Sequence, residues 1–371
     1  MEAMGSRGVF CPSQRAFTMV ELMIALLLVS SLGLGISIYL QRSSQSLRTS
    51  EEGGDIEQSS LLLSRMLSSD IRQAVYLNPS CVGNAATDEV STNCADIPFR
   101  GGIVPLPGLN MESLSSLANV QLPPTLEANA SSLTSPQDGL RILLFDFDQD
   151  FHCPLDRTLA VNPEPTQQRL FVPTTCNQLE VGGLYVIVEE HGSLSFSNLL
   201  QVTALSVGGT NIEVEHSNAG ANLYNQVGSL VNSGFTRNAR LYPVFVVEYA
   251  LDEQQNTGLY RREIRPHPGD LSGFGEWQPV DALVESIQFT YVSVLSNGTA
   301  QTHLRTMQFT ADVGNNGVED IRGVQPRIIF RSQRSTEGGQ LFANPMIPGS
   351  PQDSFPRKDH NFFVALQNFE L

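Results

Sequence analysis

With 371 residues, 41% of them hydrophobic, and a formal net charge of −16, the chain can bury a sizeable core. So acidic a balance argues against broad contact with phosphate backbones, which needs Lys/Arg-rich surfaces, and nucleic acid is not an expected partner. It fits an extracytoplasmic domain that resists nonspecific association.

Residues 1–16 carry Arg7 and Arg15 and lead into a 24-residue run, 17–40, whose only charged residue is Glu21. As a helix the run is about 36 Å long, enough to cross a bilayer. A carboxylate costs roughly 2.5 kcal/mol or more near a bilayer centre, so its presence here signals function. An ordinary secretory signal carries no acid in its apolar core, and no clear A-x-A site follows this one. A plain anchor gains nothing from the acid. Arg7 and Arg15 put the leader on the cytoplasmic side.

The order of basic leader, Phe17-Thr18-x-x-Glu21 and apolar helix resembles the class III signal of type IV prepilins and type II secretion pseudopilins. The resemblance implies that a prepilin peptidase cuts between Ala16 and Phe17 and methylates the new Phe17 amine. It also implies that Glu21 pairs with that amine on a neighbouring subunit, with Thr18 hydrogen-bonding nearby. The family usually has Gly before the cut; Ala16 is the smallest substitute, so slower processing is expected. Gly33 and Gly35 weaken the helix midway, by roughly 1 kcal/mol each relative to Ala.

Beyond Leu40 the chain stays helix-compatible to Glu52, where Gly53-Gly54 interrupts. Ile56, Leu63, Met66, Leu67, Ile71, Ala74 and Val75 then fall near one helical face, and Asn78-Pro79 ends it. The expectation over 17–78 is one long helix, or two hinged at the glycines, with 17–40 transmembrane. The stretch Asp70-Ile71-Arg72-Gln73-Ala74, with a cysteine soon after, resembles the larger minor pilins of the PilW type. Without that resemblance Asp70 and Arg72 read as solvated.

Residues 79–140 are rich in Pro, Gly, Ser and Asn and read as loops and an insertion. Strands are expected near 141–147, 184–190, 199–207, 241–251, 284–295, 304–310, 325–331 and 362–369. Segments 244–251 and 259–264 read as a hairpin, and 338–356 as a Pro/Gly-rich loop. Segments 246–263, 283–291 and 326–332 also resemble PilW-type heads. The expected fold is α+β: a long N-terminal helix packed on an antiparallel sheet domain (79–371) of one or two sheets.

Cys11 lies in the leader, which leaves Cys81, Cys94, Cys153 and Cys176, an even number for an oxidising compartment. Of three connectivities the sequence-local one, Cys81–Cys94 and Cys153–Cys176, is expected, each bridge stabilising by roughly 3 kcal/mol. Asp146-x-Asp148-x-Asp150 has the first acidic positions of a calcium loop, but an EF-hand would need Gly and Glu where Phe151 and Arg157 stand. Strand alternation instead puts Phe145 and Phe147 inward and the acids in water. Calcium is thus a minor alternative, and no other cofactor is expected. No G-x-S-x-G, H-E-x-x-H, P-loop or S-x-x-K pattern occurs, so the chain does not read as an enzyme. Trp277 reads as a packing anchor.

The resemblance implies a minor pilin that primes or caps a type IV pilus. It would sit in the inner membrane by a single span, with a periplasmic head, before entering the cell-surface filament. Its partners would be other minor pilins, the major pilin, a tip adhesin and the prepilin peptidase. The alternatives are a minor pseudopilin of type II secretion and a pilus-associated adhesin whose loops 79–140 and 338–356 touch a ligand. A further one is a membrane-anchored protein that never enters a filament.

Overall fold

In this computed structural model the described residues are 18–75, 102–107, 109, 111–116, 137–146, 153–155, 169–191, 194–216, 239–252, 258–269, 273–294, 300–304, 320–333, 341–347 and 349–366. The chain divides into two compact units, Met1–Asp55 and Ile56–Leu371. Helix α1 (Met19–Arg72) supplies the described part of the first unit and continues into the second. It runs unbroken through Gly53-Gly54, so the glycines do not split it. Nothing lies within 4 Å of a Cβ built on either one. Their cost of about 1 kcal/mol each is a propensity term that the long flanking helix absorbs.

In the first unit no apolar side chain between Met19 and Leu40 is buried, and this stretch is long and apolar enough to cross a membrane. The hydroxyls of Ser30 and Ser31 donate to the carbonyls of Leu27 and Leu28 at 3.0 and 2.9 Å. The helix thereby satisfies its own polar side chains, as hydrocarbon requires.

Among the described residues of the second unit every strand pairs antiparallel, with one isolated parallel bridge between Gln137 and Ile287. Its elements are β1 (Ile103–Pro107), α2 (Met111–Ser116), β2 (Asp138–Phe145), β3 (Cys153–Pro154), β4 (Arg169–Pro173), β5 (Leu184–His191), β6 (Leu194–Gln201), β7 (Ala204–Gly208) and β8 (Asn211–Glu215). There follow β9 (Arg240–Leu251), β10 (Leu259–Ile264), β11 (Gln278–Asp281), β12 (Val284–Val294), β13 (Ala300–Leu304), β14 (Asp320–Arg331), β15 (Arg357–Asn361) and β16 (Val364–Ala365). An eight-stranded sheet follows β1-β2-β9-β10-β11, with β3 and β5 also on β9 and β6 on β5. A five-stranded sheet follows β13-β12-β14-β15 with β16 on β14, and β4-β8-β7 form a third.

The long β9 organises the large sheet. Its C-terminal half lies between β2 and β10, its N-terminal half between β3 and β5. Pro243 falls at this changeover, where a missing N–H does least harm to a ladder. On α1 the buried residues Ile56, Ser60, Leu63, Leu67 and Ile71 recur at helical spacing. The four apolar ones share a core with Ile142 and Tyr249 of the large sheet and Phe289 and Phe330 of the five-stranded one. Past the helix, Val75 N–H donates to the Leu143 carbonyl and Leu143 N–H to the Gly102 carbonyl, both at 2.8 Å. Gly102 has φ of 71°, and a Cβ there would meet the Val75 carbonyl, so the exit needs glycine.

The architecture is therefore α+β, a long apolar N-terminal helix followed by antiparallel sheets. Several elements depart from the sequence expectation. The stretch expected as insertion contains β1 and α2. The strand expected over 199–207 is two strands in different sheets, because Val202 N–H turns to Gly183 and Thr203 N–H to Glu215. Of the strand expected over 362–369 the described residues hold β16, and 367–369 lie outside them, while β4, β8 and β15 are not anticipated.

Candidate assembly site

Thr18 and Glu21 form a capping box at the start of α1. Thr18 N–H and Thr18 Oγ1 both donate to Glu21 Oε2 at 3.0 Å, and Glu21 N–H donates to Thr18 Oγ1 at 3.3 Å. Two otherwise unpaired backbone N–H groups are satisfied reciprocally, an effect of about 1 kcal/mol. Thr18 thus serves Glu21 of its own chain. The Thr-x-x-Glu spacing is the sequence signal of this cap, and it is compatible with the expected place of Thr18 near a neighbour's amine. Ala16 and Phe17 lie outside the described residues.

The other expected sites fall in the sheet unit. Cys153 and Cys176 are joined by a disulfide with their Cα atoms 5.7 Å apart. Both are buried in a cluster with Leu170, Val172, Ile187 and Leu241, so the bridge ties the three-stranded sheet to the large one. Cys81 and Cys94 lie outside the described residues, as do Asp148 and Asp150. Asp146 is buried, not facing water, and accepts from Arg265 Nη1 at 2.6 Å. Alternation misleads here because all eight residues of β2 are buried: Leu140, Ile142 and Leu144 enter one cluster, Leu143 and Phe145 another. Among the described residues no group of three or more His, Cys, Asp or Glu could hold a metal.

Polar contacts fasten the last turns of α1 into the sheet unit. Asp70 is not simply solvated: it accepts from the Tyr249 hydroxyl at 2.5 Å and from Arg261 Nε at 3.4 Å. Burial and the Asp70 charge push the Tyr249 phenol well above its ordinary range. Lys358 pairs with Glu57, and His360 Nε2 lies 2.8 Å from Ser64 Oγ. Ser64 Oγ already donates to the Ser60 carbonyl at 2.5 Å. With its one proton so engaged it must accept from His360, which assigns the neutral ring as the Nε2–H tautomer.

A buried ion triad, not anticipated from the sequence, sits in the large sheet. Glu248 accepts from Arg141 Nε at 2.6 Å on one oxygen and from Arg262 Nε at 2.6 Å on the other. The Arg262 guanidinium lies 4.4 Å from the ring centroids of both Phe274 and Trp277, so Trp277 packs against a cation.

The described part of the 338–356 loop is held in place. Arg357 binds Glu285 at 2.6 and 2.8 Å and Asp353 at 2.8 and 3.0 Å. The hydrogen bonds from Arg357 hold the Asp353 carboxyl down to about 2. Buried Asn344 donates to Ser286 at 2.7 Å.

His216, just after β8, gives a testable pH response. Burial holds its imidazole down to about 4, against about 6.5 in an unfolded chain. The unfolded state therefore takes up the proton first as pH falls. The stability linked to His216 is complete above about pH 6.5 and is lost, at about 1.4 kcal/mol per unit, as pH falls toward 4. Between pH 7 and pH 5 the chain is expected to lose about 2 kcal/mol more than a His216→Leu variant. Urea unfolding in detergent at the two pH values measures this.

Residues 11–37 match the family described as the prokaryotic N-terminal methylation motif. Among solved structures the chain is similar to the type IV-like pilin TTHA1219 from Thermus thermophilus, at 12% identity over 53% of this chain and 93% of that one, with a TM-score of 0.21. That score is too low to establish a common topology. No curated protein matches the chain.

Proposed function

We propose that the chain is a minor pilin of the PilW type, a structural subunit that primes or caps a type IV pilus. One observation carries the proposal: inside a methylation motif, a carboxylate stands three residues past the N-cap of an exposed apolar helix. In the membrane this acid needs a polar partner, and the subunit supplies a provisional one in Thr18. After cleavage before Phe17, the methylated amine of a neighbour is the stronger partner, because a charged pair replaces hydrogen bonds from neutral donors. The exchange draws the subunit into a stack of helices, while the sheet unit meets other minor pilins outside the inner membrane. The size of the sheet unit favours this role over a type II secretion pseudopilin.

Glu21→Ala tests the mechanism. The variant is expected to insert in the inner membrane at wild-type levels and to be at least tenfold depleted from sheared filaments. Wild-type recovery with the filaments would remove Glu21 from assembly.

A further inference from the structure

We infer that Tyr39 and Arg42 form a headgroup anchor on the outer leaflet that sets the depth of α1 and thereby holds Glu21 at the inner boundary of the hydrocarbon. The inference rests on the membrane-spanning reading above. The run 17–40 is about 36 Å long as a helix, against about 30 Å of hydrocarbon. Apolarity alone therefore leaves about 6 Å of slack in the helix position, and some polar group must decide it. Inside the span Ser30 and Ser31 are bonded to their own helix, and Gly33 and Gly35 carry no polar side chain, so these residues are indifferent to depth.

The outer end is different. Tyr39 is 72% exposed, and exposed Gln41 and Arg42 follow at once. Tyrosine rings favour the headgroup level, and an arginine stem lies along apolar surface while its guanidinium reaches phosphate. Orientation does not account for Arg42: a basic residue on the outer flank works against the positive-inside rule that Arg7 and Arg15 follow. Past Arg48 come Glu51, Glu52 and Asp55, so this is no polybasic patch selecting anionic lipid. The chemistry it takes is the lipid phosphodiester, zwitterionic or anionic. Eighteen residues separate Tyr39 from Glu21, about 27 Å along the helix. With Tyr39 at the outer headgroups, the Thr18–Glu21 capping box lies at the inner edge of the hydrocarbon, where Thr18 remains the carboxylate's partner until a neighbour arrives.

Depth-dependent tryptophan quenching by brominated lipids, on the full chain in phosphatidylcholine vesicles, tests this. Leu28→Trp and Leu22→Trp serve as reporters in separate proteins, and the parent chain with its single Trp277 supplies the baseline. Leu28→Trp is expected to be quenched most from the bilayer centre and Leu22→Trp from shallow bromines. Adding Tyr39→Ala and Arg42→Ala shifts both profiles by about one helical turn, roughly 5 Å, and Arg42→Lys retains the original depth. Unchanged profiles in the double variant overturn the anchor. Absence of quenching for both reporters overturns the membrane span itself.

Discussion

Glu248→Gln is expected to destabilise the sheet unit by about 3–5 kcal/mol, the range for removing one partner of a buried charge cluster. The Glu248 side chain is fully buried, with Arg141 and Arg262 at 10% and 4% exposure. The substitution leaves two guanidiniums facing a neutral amide in the middle of β2, β9 and β10. The loss comes from stranded charge, not from absence of an attractive pair, and this makes a second variant informative. Replacing Arg141, Glu248 and Arg262 together by apolar residues of similar volume removes the stranded charge and is expected to recover most of the stability. Urea unfolding in detergent, compared for Glu248→Gln and the triple variant, measures both. Equal loss in the two would mean that the triad acts through packing around Phe274 and Trp277 instead.

Opening the Cys153–Cys176 bridge is expected to cost about 3 kcal/mol. The cysteines are 23 residues apart, and a loop of that size is constrained by about this much in the unfolded chain. The double substitution to Ser adds the burial of two hydroxyls among Leu170, Val172 and Leu241, so the double substitution to Ala isolates the cross-link. A drop in Tm on reduction that is larger in the wild-type chain than in the Ala variant is the expected calorimetric result.

What the sequence disclosed follows from the range of the interactions. The helix face from Ile56 to Ile71 was readable because a 3.6-residue period is local. The hairpin of β9 and β10 was readable because a short polar stretch ending in Gly258 separates two β-branched and aromatic runs. Partner exchange along β9 was not, since no local pattern says that one strand serves two sets of neighbours. β4 and β8 were missed as short strands whose hydrophobic faces make sense only against the Cys153–Cys176 cluster. The ion triad joins residues 107 and 14 positions apart, and in sequence each member looks like a solvated charge. Asp146 was misplaced for the related reason that alternation presumes one wet face, whereas β2 has none. At the candidate site the apolar run and its acid stood out at once. The role of Thr18 as a cap for Glu21 was written in the same four residues but needed the helix start to be located.

The central claim is that Glu21 becomes an assembly contact through a free amine created at Phe17. Intact-mass and N-terminal peptide mass spectrometry of the chain recovered from piliated cells, with and without the prepilin peptidase, tests it most directly. The expected result is a chain that begins at Phe17 with one added methyl group where the peptidase is present, and an unprocessed chain where it is absent. A filament-associated chain that retains Met1–Ala16, or begins at another residue, would contradict it.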